Sequence, residues 1–121
     1  MRLFALRGAI NVNRNDAQDI LDATTDLMQE IMRRNALEPK NVVSCIFTAT
    51  NDLNAEFPAV AARAVGFEGV PLLCAREIAV PRSMPRVIRV LIHYHAEDAH
   101  EPKHVYLGEA KVLRSDLEAA Q

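Results

Sequence analysis

The sequence predicts one mixed domain, α/β or α+β, in which a β-sheet carries one long and one short helix. Three observations predict it. Apolar residues recur at helical spacing through one long stretch, at Ile20, Leu21, Thr24, Leu27, Met28, Ile31 and Met32. Several short runs rich in β-branched residues stand before and after that stretch, separated by proline, glycine and charged segments. So few strands leave open sheet edges, which suggests pairing with other subunits.

Taken in order, Met1 to Ala9 (MRLFALRGA) reads as the opening strand, with Gly8 as a bulge or a close backbone approach and Arg7 near its end. Asn13 or Asn15 can cap the long helix, whose first turn carries Asp16 and Asp19. Asn35 and Pro39 end it, and Arg33 and Arg34 sit where the helix dipole favours cations. Asn41 to Thr50 (NVVSCIFTAT) is a second strand. A polar segment, NDLNAEFP, leads to a short helix over Ala59 to Val65 that opens at Pro58 and is broken by Gly66 and Gly69. Two further strands, Val70 to Cys74 and Val87 to Tyr94, flank a proline-punctuated loop. After a charged loop, Ala96 to Lys103, come two short apolar pieces, His104 to Leu107 and Lys111 to Leu113. Residues 115–121 are expected to form a flexible tail of the single domain spanning 1–121.

With 121 residues, one domain is expected, and a chain of this size buries roughly two-thirds of the surface its unfolded form exposes. Aromatics make up only 5% and Trp is absent, so the core must come from aliphatic residues and Met. A net charge of −2 suggests neither a nucleic-acid footprint nor a polybasic membrane patch. Cys45 and Cys74 both lie in apolar β-like runs and read as reduced thiols. No signal peptide, membrane-spanning run or lipidation motif is seen, so a soluble, cytoplasmic protein is expected.

Arg89 is the anomalous residue. Val87, Ile88, Val90, Leu91 and Ile92 surround it, so both faces of its strand read as covered. A permanent charge there needs an anionic partner, either Glu77 or a ligand. Cys74 and Glu77 are three apart and would point to opposite faces of a continuous strand, so they act together only if the strand ends or bulges between them. Taken singly, Cys74 reads as a small buried hydrophobe, Glu77 as a solvated carboxylate, Arg7 as a strand-end charge and Tyr106 as a half-buried strand aromatic. His93 and His95 could chelate a metal from one strand face, but no further ligand is placed by a familiar spacing, and neither metal nor other cofactor is expected. Gly-rich phosphate loops, nucleophile elbows and CxxC pairs are absent.

Five collinear segments, LRGAINV, SCIFTATNDLNAEFPAVAAR, VPLLCAREIAV, PRVIRVLIHY and HVYLGEAKVLRSDL, resemble the monofunctional barrel-type bacterial chorismate mutases over nearly the whole chain. The resemblance implies an α+β fold, a homotrimer that forms a pseudo-α/β barrel, and active sites in clefts between subunits. It also implies the Claisen rearrangement of chorismate to prephenate, without a cofactor, in aromatic amino acid biosynthesis. Carried over by position, it assigns Arg7, Cys74, Glu77, Arg89 and Tyr106 to catalysis, together on one wall of the cleft. Leu72 and Leu73 would line the substrate, Phe57, Ala59 and Arg63 would come from the adjacent subunit, and Leu113 and Arg114 would belong to a tail that can cover the cleft. Val60 departs from a relative that carries Lys there, which touches only a peripheral charge. Partners other than chorismate and further copies of the chain are not implied: no nucleic acid, no membrane. Two rival readings share this outline, a trimeric enamine/imine deaminase and a non-catalytic ligand-binding trimer; the pairing of Cys74 and Glu77 with the HVYL segment favours the mutase.

Overall fold

The structure, a computed structural model, describes residues 1–113. Five strands run β1 (Arg2–Asn11), β2 (Val42–Ala49), β3 (Leu72–Arg76), β4 (Val87–Ala96) and β5 (Val105–Leu107), with helices α1 (Ala17–Asn35) and α2 (Pro58–Ala62) between them. The sheet order is β3-β2-β4-β1-β5. Its centre, β2-β4-β1, is antiparallel, and a short parallel strand is added at each edge. Both edges are thus short and still offer unpaired backbone groups.

One face of the sheet is buried by the chain itself. Leu6, Cys45, Phe47, Ile88, Val90, Ile92 and Tyr94 alternate along the strands and meet Ile20, Leu27, Met28 and Ile31 of α1 and Ala59 and Ala62 of α2. The helix turns its apolar stripe inward, and its one buried hydroxyl, Thr24, is satisfied by donating to the Ile20 carbonyl at 2.8 Å. Gly8 is a close approach and not a bulge: a Cβ there would stand 2.8 Å from Ile31 Cδ1, and the β1–β4 register runs unbroken through it.

Several local expectations are corrected. The α1 cap is Asp16, whose backbone is extended and whose side-chain carboxylate accepts the Asp19 N–H at 3.1 Å. Asn15 instead uses its carbonyl to hold the backbone of Asn54 and Ala55 at 3.0 and 3.1 Å. β3 starts two residues later than the apolar run suggests, because Pro71 has no N–H for a ladder and contributes only its carbonyl, to the Cys45 N–H. α2 ends at Ala62 and passes into a wide turn over Arg63–Phe67, where Gly66 takes φ 110°. Residues 111–113 are helical, following a tight turn at Gly108–Ala110, where a short apolar piece was expected. Arg114 and the expected tail at 115–121 lie outside the described residues.

The start of β4 is fixed from outside the strand. Arg86 adopts φ 49°, unusual for a non-glycine residue. Its N–H donates to both oxygens of Asp52 at 3.0 and 3.1 Å, while its Nε reaches the Val12 carbonyl at 3.0 Å. Three residues later the strand presents Arg89.

Candidate functional site

The second face of the sheet carries the charges. Strand pairing builds a row across it: Tyr106 beside Ala9, Ala9 beside Arg89, Arg89 beside Thr48, Thr48 beside Ala75. The row below contains Arg7, Leu91, Ile46 and Leu73. Since side chains two apart share a face, Arg7, Arg89, Thr48 and Tyr106 converge. They line a cavity of about 280 Å³ together with Gly8, Ile46, Val90 and Leu91. That volume falls just below the usual range for small-molecule sites, roughly 300–1,000 Å³, and its mouth lies on a face the chain does not cover.

Here the reading of Arg89 as covered on both sides needs correction. A small cluster of Ala9, Val87, Tyr106 and Ala110, with Met84 and Leu113 packed on it, closes the second face only around Val87 and Tyr106. From Arg89 onward that face is open, and the Arg89 side chain keeps 40% of its exposure. Leu73 is 60% exposed on the same face, and Leu91 and Ile46 are only partly buried.

Glu77 is the partner of Arg89. β3 stops at Arg76, and the next residue turns so that its N–H meets the Ala49 carbonyl at 3.0 Å while its carboxylate points along the Arg89 face. Glu77 Oε2 accepts from Arg89 Nε at 2.9 Å and from Thr48 Oγ1 at 2.6 Å. Its side chain is only 15% exposed, so the pair is desolvated on the Glu77 side. Arg7 has no ion pair among the described residues; its backbone N–H donates to His104 Nδ1 at 3.0 Å, tying β1 to the segment that enters β5. The cavity is therefore lined by two guanidiniums, one of them paired with Glu77 behind it, a net positive site suited to an anion.

The other expected residues fall elsewhere in the single chain. Cys74 shares the core-side face of β3 with Leu72 and Arg76, opposite to Glu77, and lines a separate cavity with Phe57, Glu56 and Arg76. Phe57 is 68% exposed at the mouth of that second cavity. Ala59 is 4% exposed, inside the core; Arg63 is exposed and Leu113 packs beside Tyr106. His93 meets the Ser44 hydroxyl at 3.2 Å, and among the described residues no group of three or more His, Cys, Asp or Glu is arranged to hold a metal. Both cysteines are free; burial pushes the Cys45 thiol up to about 12, with a smaller contribution from Cys74 beside it.

Thr48, Ile46 and Leu91 were not singled out from the sequence. The alternation in NVVSCIFTAT puts Ile46 and Thr48 on one face, but which face, and opposite which residue of β4, is set by strand register, which no local pattern encodes.

The family model for chorismate mutase type I matches residues 3–117. The chain is 45% identical over 118 residues to chorismate mutase AroH of Thermus thermophilus, covering 96% of this chain and 97% of that protein. It is 36% identical over 119 residues to chorismate mutase AroH of Bacillus subtilis, covering 97% of this chain and 94% of that one. Among solved structures, a chorismate mutase from Clostridium thermocellum superimposes with a TM-score of 0.86 at 44% identity, over 90% of this chain and 98% of that one.

Proposed function

The chain belongs to the chorismate mutase type I family and is a chorismate mutase, an isomerase of aromatic amino acid biosynthesis, and we propose which of its residues perform the rearrangement. A deaminase or a non-catalytic trimer is not favoured, since the family, the named relatives and the structural neighbour are all mutases.

The reaction breaks an ether C–O bond and forms a C–C bond in one pericyclic step, with no proton to transfer. A catalyst must hold the compact chair conformer of a dianion and stabilise negative charge growing on the ether oxygen. The observation that carries the assignment is that Arg7 and Arg89 open into one cavity with Tyr106 at its rim and Glu77 anchored beside Arg89. Arg89 uses Nε on Glu77, and its two terminal nitrogens, without partners among the described residues, serve the ether oxygen and a substrate carboxylate. Arg7 and Tyr106 hold the enolpyruvyl carboxylate. Glu77 orients the ring hydroxyl and balances charge on the allylic side, and its pairing with Arg89 also keeps the guanidinium from standing alone in the empty site.

The chain acts as a homotrimer in this reading. The exposed apolar side chains of Leu73 and Phe57, the open face around Arg89 and the two short edges are what a neighbouring copy would cover. Cys74, Leu72, Phe57, Ala59 and Arg63 then complete the cleft from the neighbouring subunit, which explains why Cys74 and Phe57 lie away from Arg89 in one chain, while Leu113 stays beside Tyr106 of its own chain. Free thiols at Cys45 and Cys74 suit a reducing compartment, and we place the enzyme in the cytoplasm.

The test is direct. Chorismate added to the purified protein should lose its absorbance, with prephenate identified after acid conversion to phenylpyruvate. Sedimentation should give about three times the chain mass of 13.5 kDa. A chain that turns over chorismate as a monomer would end the shared-cleft model, and a trimer without turnover would end the assignment of residues.

A further inference from the structure

Glu77 is held by two donors on a single oxygen. Thr48 Oγ1 stands 2.6 Å and Arg89 Nε 2.9 Å from Oε2, while Oε1 has no partner among the described residues. The Thr48 contact has the length of a charge-assisted hydrogen bond to a carboxylate. Thr48 is also the direct cross-strand neighbour of Arg89 on the cavity face, so hydroxyl, carboxylate and guanidinium form one fixed triangle.

A carboxylate facing an arginine is otherwise free to turn and accept from two guanidinium nitrogens at once, which is the geometry such pairs favour. That bidentate pairing would occupy a terminal nitrogen of Arg89. A hydroxyl pinning Oε2 prevents the turn. It leaves Oε1 without a protein donor among the described residues and both terminal nitrogens of Arg89 available.

We propose that Thr48 is a positioning residue of the active site: its hydroxyl holds Glu77 in single-bond contact with Arg89, so that Oε1 is presented to the substrate hydroxyl and the guanidinium keeps two donors for the reacting anion. This rests on the assignment of Glu77 and Arg89 to the reaction. Thr48 lines the same cavity, but the role assigned to it runs through Glu77 and not through the breaking bond.

The experiment is a cycle of Thr48→Val, Glu77→Gln and the double variant, with Thr48→Ser alongside, assayed for chorismate turnover. Thr48→Val keeps the shape and loses the hydroxyl. It should lower kcat about tenfold, the size expected for one hydrogen bond to a charged group, with KM little changed. Thr48→Ser should stay within about twofold of the parent, because the hydroxyl is retained. In the Glu77→Gln background, Thr48→Val should cost much less than it does alone, since the group it positions is already altered. A merely structural role predicts equal costs in both backgrounds. Equal costs, or a Thr48→Val enzyme that matches the parent, would overturn the proposal. Thr48→Ala repeats the test should valine disturb folding. A Glu77→Gln variant with full activity would instead remove the underlying site assignment, an outcome distinct from the other two.

Discussion

The two faces of β4 differ in what they need from outside the chain. Ile88, Val90, Ile92 and Tyr94 are 3% exposed or less, packed by the helices of the same chain. Arg89, Leu91 and His93, interleaved with them, remain partly open. From residue 88 on, one strand thus serves two purposes separated by a period of two: even positions hold the fold together, while 89, 91 and 93 present chemistry and an unfinished apolar surface. Changes on the even face should alter stability and leave turnover by the folded enzyme alone. Changes at 89, 91 and 93 should lower turnover even where the chain stays folded.

The largest expected effect breaks the odd face at its charge. Arg89→Gln keeps hydrogen-bonding capacity but removes the positive charge, and kcat for chorismate should fall by ~10²–10³-fold, as for loss of one donor to a developing oxyanion. The thermal midpoint should fall as well, since Glu77, 15% exposed, is left without its cation, although Arg89 is itself 40% exposed and its loss opens no core cavity. Full activity in Arg89→Gln would end the electrostatic account. Next comes the apolar part of the same face. Leu73→Lys places a charge where 60% of a leucine lies open in the single chain, and it should shift the solution mass toward 13.5 kDa while lowering activity at dilute enzyme concentration. An unchanged mass would mean that no neighbour covers Leu73.

Much of this division was legible in the sequence. The helical spacing of Ile20, Thr24, Leu27, Met28 and Ile31 marks the residues that α1 buries, because a period of 3.6 leaves few other ways to hide them. Arg89 stood out because a guanidinium within an aliphatic run must have a partner, and Glu77 is that partner. What stayed hidden depends on contacts distant in sequence. The aliphatic residues around Arg89 made its strand look buried on both sides, since Leu91 is apolar for a surface that one chain leaves bare. Thr48 could not be linked to Glu77, 29 residues on, without the register that sets β2 against β4. The α1 cap was misplaced by a residue or more because Asn13, Asn15 and Asp16 are all good caps, and Asn15 is recruited by the Asn54 loop.

Smaller effects should sharpen the even face. Ile92→Val removes one methylene from a fully buried position and should cost about 0.5–1.5 kcal/mol, read as a lower urea midpoint with an unchanged slope. The kcat of the folded enzyme should stay at its parent value. A fall in kcat without a loss of stability would show that the two faces are coupled through the strand.

The least effect at neutral pH, and the most selective for the even face, concerns Cys45 and Tyr94. Burial pushes both groups up to about 12, from ordinary values of 9.0 and 10.0. Each is neutral when protonated, so folding favours the protonated form, and at neutral pH neither folded nor unfolded chain ionises them. Above about pH 9 the unfolded chain begins to release the Cys45 proton while the folded chain retains it, and Tyr94 follows about one unit later. The unfolded state then binds fewer protons than the native state, so stability must fall as pH rises through this window. Cys45→Ala removes the first of these two losses. Its urea midpoint should lie below the parent's at pH 7, where only the lost packing counts, and the gap should narrow as pH climbs from 9 toward 12. A gap that stays constant over that range would mean the thiol ionises alike in both states, and that water reaches the face against which the helices pack.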